Sequence, residues 1–253
     1  VYAWTEENRL ASIEMAPESA SNGLPIQRSE FVYDGQGRRI LRMDLLDWNG
    51  AAYVVTNQTR YIWDGMAILA ELSTQSSVLS TNYNVWGLDL SQSLHGAGNV
   101  GGLVCSSRMQ GGAVTNWLYT FDGNGNVADV LDESGAVQAS YQYTPFGQVF
   151  ASTGPVAGSN PWRFSTKPCD DMWGLIFYEY RVYSADLQVW LNRDPIGENI
   201  LRTGMPRRNP GPSYDLSMVQ LNLIAMVKNN PICLVDKDGR LSEYRQIYGN
   251  WCG

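Results

Sequence analysis

Three times along this chain an aromatic residue is followed directly by aspartate and glycine: Tyr33-Asp34-Gly35, Trp63-Asp64-Gly65 and Phe121-Asp122-Gly123. Apolar, β-prone runs flank each of them, as in residues 31–43 and 61–72. The three residues make a physical unit. The ring packs on a sheet face, the carboxylate caps the N–H groups of its own turn, and glycine permits the positive φ that a tight hairpin needs. Gly35 and Gly37 are both expected in that conformation. Asp132-Glu133-Ser134-Gly135 supplies a further turn of this kind. One hairpin is too small to bury its own aromatic face, so tandem copies must stack into a single continuous sheet.

The rest of the chain agrees with an all-β reading. It has 253 residues, among them 14 Tyr, 9 Trp and 25 Gly, which suits many short strands joined by tight turns. The net charge of −7 argues against a general nucleic-acid binder, which carries a basic face. The one basic cluster, Arg202 with Arg207 and Arg208, lies in a Pro/Gly-rich stretch and reads as a solvated loop. No apolar run is long enough to span a bilayer, and no signal peptide is visible. Val1 to Trp4 already reads as the inside of a strand, so a longer polypeptide is expected around this segment.

Cys105, Cys169, Cys233 and Cys252 form no CxxC pair, and His95 is the only histidine, so neither a metal site nor a cofactor is expected. The cysteines are open to two readings, disulfides in an exported protein or buried thiols. Gly96-Ala97-Gly98-Asn99-Val100-Gly101 matches GxGxxG formally, but no βαβ pattern surrounds it. It reads instead as a Gly-rich hairpin with close strand approach.

Residues 175–197 begin with strand formers: Ile176, Phe177, Tyr178, Tyr180, Val182 and Tyr183. Alternation over one strand sets Phe177, Glu179, Arg181 and Tyr183 on one face. A turn at Ser184-Ala185-Asp186 leads to a second run, Leu187 to Leu191, and the stretch closes on Arg193-Asp194-Pro195-Ile196-Gly197. This run resembles the signature of the RHS-repeat-associated core that ends YD-repeat (RHS) proteins. Other markers follow the same pattern and order: Trp4-Thr5 with Asn8-Arg9-Leu10, Tyr33-Asp34, Thr144-Pro145-Phe146-Gly147, residues 160–167 (NPWRFSTK), and Val235-Asp236-Lys237-Asp238-Gly239. Residues 199–214 are a Pro/Gly/Arg-rich insert that departs from it, and Lys237 replaces the usual proline. The apolar residues of 216–230 are spaced as a short helix can use them.

The resemblance implies YD-repeat antiparallel hairpins forming a strongly twisted, curled sheet, a partial barrel or shell, with a small C-terminal plug-like segment. The expected organisation is a hairpin array over 1–150, the associated core over 151–239 and a tail over 240–253. The implied function is structural: an encapsulating part of a secreted or cell-surface protein. Its partners would be other parts of the same polypeptide, an enclosed C-terminal segment or copies of itself. The resemblance also implies an alternative, an aspartic self-cleaving core. Asp194 with Asp236 or Asp238 would supply the paired carboxylates and Arg193 the cation, with the cut next to Leu241. A third reading is a self-assembling adhesion or filament subunit whose free sheet edges pair.

Overall fold

The computed structural model describes residues 1–16, 25–47, 52–195, 224–229, 231, 234–236, 239 and 242–244. Among the described residues, twelve strands follow one another in a single antiparallel sheet, each paired with its neighbours in sequence. They are β1 (Tyr2–Trp4), β2 (Leu10–Glu14), β3 (Ile26–Tyr33), β4 (Arg39–Asp47), β5 (Val54–Asp64), β6 (Ala67–Gln75), β7 (Val78–Trp86), β8 (Leu103–Gln110), β9 (Ala113–Phe121), β10 (Val127–Leu131), β11 (Val137–Tyr143) and β12 (Val149–Thr153). A four-stranded sheet comes next: β13 (Cys169–Asp170), β14 (Leu175–Phe177), β15 (Val182–Ser184) and β16 (Val189–Trp190). Beyond residues 196–223 the chain returns to pair Ala225 with Val189, forms a 3-10 turn at Met226–Asn229, and pairs β17 (Leu234–Asp236) with β18 (Ser242–Tyr244). Of the stretch 216–230 expected as a short helix, the described residues 224–229 hold the bridge at Ala225 and this one turn.

One turn design recurs five times. In the hairpins β1–β2, β3–β4, β9–β10, β10–β11 and β11–β12, the first turn residue is Thr5, Asp34, Asp122, Asp132 or Thr144. Its N–H bonds the carbonyl four residues on, and its carbonyl accepts the N–H three residues on. Its side-chain oxygen also accepts the N–H four residues on. The fourth residue is Asn8, Gly37, Gly125, Gly135 or Gly147, always at positive φ. This is a type I turn closed by a left-handed residue, and it produces the register shift seen where each pair of strands meets the turn. Gly35 does not have the expected positive φ. The left-handed position is three residues after the aspartate, so the unit is Asp-x-x-Gly rather than Asp-Gly. Trp63-Asp64-Gly65 is a different, tighter turn in which Asp64 pairs directly with Ala67.

Two further hairpins use two-residue turns with both residues at positive φ: Ser76-Ser77 and Gly111-Gly112. Serine is strained there and glycine is not. Ser76→Asn combined with Ser77→Gly should stabilise the protein by about 1 kcal/mol. An unchanged or lowered urea midpoint would contradict this assignment of the turn.

The sheet curls. The carbonyl of Asn8, between β1 and β2, accepts the Asn192 side-chain N–H at 2.9 Å. The carbonyl of Phe146, between β11 and β12, accepts the Tyr183 hydroxyl at 2.8 Å. Tyr183 and Asn192 belong to one small unit, in which Val182 N–H donates to the Asn192 side chain. In a flat sheet β2 and β11 would stand about 43 Å apart. Only a rolled sheet brings both turns to one plug.

Turns from the same end of the other hairpins close on that plug too. Arg39 stacks on Phe177 at 4.1 Å, and Trp63 and Met66 line a cleft with Phe177 and Glu179. Gly98 accepts a bond from Lys167, Gly125 one from the Thr166 hydroxyl, and Asn126 one from the Ser165 N–H. A Cβ at Gly147 would lie 2.5 Å from the Phe164 ring, so this close approach requires glycine. The core runs along the inner face of the sheet (Ile68, Leu103, Val127, Val130, Ala139, Trp162) and into two clusters shared with the plug, centred on Tyr183 with Trp190 and on Leu10 with Phe177.

Candidate functional site

The stretch expected as one strand from Ile176 to Tyr183 is a hairpin. Ile176 pairs with Tyr183, Phe177 pairs with Val182, and the Tyr178 N–H donates to the Arg181 carbonyl. The turn residues Tyr178 to Arg181 include no glycine, proline or asparagine. Tertiary partners hold them instead. The Lys167 ammonium sits 2.8 and 3.0 Å from the two Glu179 carboxylate oxygens, and Arg181 is taken up by two aspartates.

Those aspartates are Asp194 and Asp236. One Arg181 nitrogen, Nη2, lies 3.3 Å from Asp194 Oδ2 and 2.7 Å from Asp236 Oδ2. The two carboxylates therefore stand no further apart than these two contacts laid end to end. Asp236 is 1% exposed, and its other oxygen accepts the Gly239 N–H at 2.8 Å. The Arg181 Nε donates to the Gly239 carbonyl, and its guanidinium stacks on Trp190 at 4.1 Å. Gly239 has φ +78, and a Cβ there would press on Arg181 and Tyr178, so glycine is required for the backbone to approach the arginine this closely. Tyr178 packs edge-on against Trp190. Burial, reinforced by the Asp236 charge, pushes its phenol well above the usual range, so it stays protonated.

Asp194 and Asp236, chosen from the sequence, are thus brought together. The cation between them is Arg181. The Arg193 side chain is exposed, and its carbonyl accepts a bond from Asn8. Asp238 lies outside the described residues. Arg181 was visible in the sequence as part of the tyrosine-rich run, but strand alternation set it on a sheet face rather than at a turn.

Other candidates do not build a reactive centre. Asp89 is buried and organises the glycine-rich segment: it accepts the N–H and hydroxyl of Ser91 on one oxygen and the N–H groups of Ala97 and Asn99 on the other. The segment is a compact set of turns closing the β7–β8 hairpin, with Gly87 N–H bonded to the Gly102 carbonyl. Cys105 and Cys169 are free thiols, and burial pushes Cys169 up to about 12, which suppresses its thiolate. Cys233 and Cys252 lie outside the described residues. Among the described residues no group of three or more His, Cys, Asp or Glu is placed to hold a metal. No helix among them is long and apolar enough to cross a membrane.

No family model matches the chain. Over 181 residues it is 26% identical to the double-stranded DNA deaminase toxin A of Burkholderia cenocepacia, covering 69% of this chain and 12% of that protein. Over 242 residues it is 24% identical to the tRNA3(Ser)-specific nuclease WapA of Bacillus spizizenii, covering 94% of this chain and 8% of that protein. Among solved structures, the crystal structure of TcdB2-TccC3 superposes with a TM-score of 0.67 at 21% identity, covering 94% of this chain and 10% of that one. The Photorhabdus luminescens Tc holotoxin pore with a TccC3 mutation gives 0.65 at 20% identity, again over 94% and 10%. The chain spans roughly a tenth of the length of each of these proteins. The rolled sheet and its plug are therefore a fold shared with part of TcdB2-TccC3, in a chain whose sequence is similar, at a coarse level, to RHS-type toxin proteins.

Proposed function

We propose that this chain is the closing end of a YD-repeat shell within a longer, exported toxin-type polypeptide. Its work is structural: it rolls the sheet and stops one end of it. The observation that carries this reading is the convergence of turns from six hairpins, β1–β2 through β11–β12, on one plug through buried and half-buried hydrogen bonds and packed rings. Such a closed end separates an inner from an outer surface, which is what enclosing another part of the polypeptide requires.

A second reading has its own support. Asp194 and Asp236 share one guanidinium, and both backbone groups of Gly239 are held by that cluster. The peptide next to Leu241, where the resemblance sets a cut, is two residues further on. In an aspartic cleavage the oxygen of a water bonds to the peptide carbonyl carbon while its proton passes to one carboxylate. The other aspartate, protonated at the outset, delivers its proton to the amide nitrogen as the C–N bond breaks, leaving a new carboxyl and a new amine. Arg181 ties up one oxygen of each aspartate, so the pair is not free to meet a water and a peptide as it stands. Cleavage by this pair needs one aspartate to loosen from Arg181.

One experiment separates the readings. The chain is produced with a folded reporter fused after Gly253, as wild type and as Asp194→Asn, and intact masses are compared. The purely structural role gives one full-length mass in both. Self-cleavage gives a product ending near Leu241 in the wild type alone. In either case chymotrypsin should spare Tyr183 and Trp190 in the plug, and cutting there at the rate of the denatured chain would remove the closed-shell reading.

A further inference from the structure

The five copies of the recurring turn can be laid over one another by their hydrogen bonds. The residue that opens the second strand is then Leu10, Arg39, Val127, Val137 and Val149 in turn. Four of these are apolar. Arg39 sets a charge where the fold uses an aliphatic side chain. It is 7% exposed, and its Nε and Nη1 have no hydrogen-bond partner. Among the described residues no carboxylate is within ion-pair distance of it. Rings surround it: Phe177 at 4.1 Å, Tyr61 at 4.7 Å and Phe31 at 5.8 Å. Rings attract a cation but cannot accept in-plane N–H bonds. Glu71 feels the field of Arg39, but burial pushes its carboxyl upward, towards the neutral form. A buried charge with unmet donors is costly unless something pairs with it.

Arg39 borders a cavity of about 20 Å³ between the sheet and the plug, lined also by Arg9, Tyr33, Phe177, Asn192 and Glu179, whose two carboxylate oxygens are held by Lys167. A water needs roughly 10–15 Å³ measured this way, so the space beside Arg39 has room for one small particle. We propose that this cavity is a binding site for one small inorganic anion of chloride size, held by the in-plane donors of Arg39. The anion supplies the charge that no carboxylate supplies. It lies at the junction of sheet and plug, because Arg39 comes from β4 and the ring stacked on it, Phe177, comes from β14. The sheet–plug junction is therefore tightened by chloride.

The test measures unfolding of the full chain as sodium chloride replaces sodium gluconate at constant ionic strength, so that general screening is unchanged. Wild type should gain stability with chloride and saturate, its unfolding constant falling about tenfold at a chloride concentration ten times the dissociation constant. Arg39→Leu, which installs the residue found at the matching position of the first turn, should show no chloride response. Equal responses in both proteins, or none in wild type, overturn the site. Crystals of the wild type soaked in bromide give a reading independent of the variant. An anomalous peak within hydrogen-bond distance of the Arg39 guanidinium is expected, and bromide found only elsewhere refutes the proposal.

Discussion

Replacing Arg181 by methionine should destabilise the protein by about 3–5 kcal/mol, because it strands Asp236 as a buried carboxylate without its cation. The substitution keeps an unbranched apolar stem against Trp190, so the loss is not mainly one of packing. It removes the contacts to Asp194 and Asp236 and the bond to the Gly239 carbonyl together. Adding Asp236→Asn to Arg181→Met should recover a large part of the loss, since the remaining amide carries no charge. Arg181→Lys should fall between. One ammonium cannot reach both carboxylates and the carbonyl with the geometry of a planar fork, nor stack flat on the indole. Equilibrium urea denaturation checks all three. A loss below about 1 kcal/mol for Arg181→Met would mean that the carboxylates are solvated rather than bound to it.

The hairpins were readable in the sequence because their determinants are local. Asp34, Asp122 and Asp132 cap N–H groups two and four residues away, and a nearby glycine takes the left-handed position. The order of strands follows from such turns without long-range information. Thr5 and Thr144 do the same work with a hydroxyl, and Asn8 replaces the glycine; these copies were legible through the resemblance, as its Trp4-Thr5 and Thr144 to Gly147 markers, rather than as Asp-capped turns. The aspartate pair came from the resemblance, which implies one aspartate in each of two motifs; turn chemistry alone reads Asp194 and Asp236 as caps. The turn at Tyr178 to Arg181 was not legible. Its residues favour a strand, and what bends it is an ammonium from Lys167 and carboxylates from Asp194 and Asp236, none of them neighbours in sequence. Arg39 was opaque too. An arginine after a turn reads as a solvated residue until the rolled sheet closes the plug over it.

The same turn carries the second large effect. Lys167 uses all three donors of its ammonium: two on the Glu179 carboxylate and one, at 2.8 Å, on the Gly98 carbonyl. It thereby joins the glycine-rich loop to the β14–β15 turn inside the closed end, where Lys167 and Glu179 side chains are 3% and 7% exposed. Lys167→Met should cost about 3–5 kcal/mol, since it leaves Glu179 buried without its cation and the Gly98 carbonyl without its donor. Glu179→Gln alone should cost less, because the amide oxygen still accepts a bond from the ammonium. The double variant Lys167→Met with Glu179→Gln should be more stable than Lys167→Met, and the difference from additivity in this cycle measures the coupling. If the two losses simply add, the pair does not bend the turn, and the strand preference of its tyrosines is overcome elsewhere. If they couple, Glu179 and Arg181, two residues apart, are held by opposite charges from different parts of the chain. The guanidinium between Asp194 and Asp236 is then positioned by Lys167 as well as by the aspartates themselves.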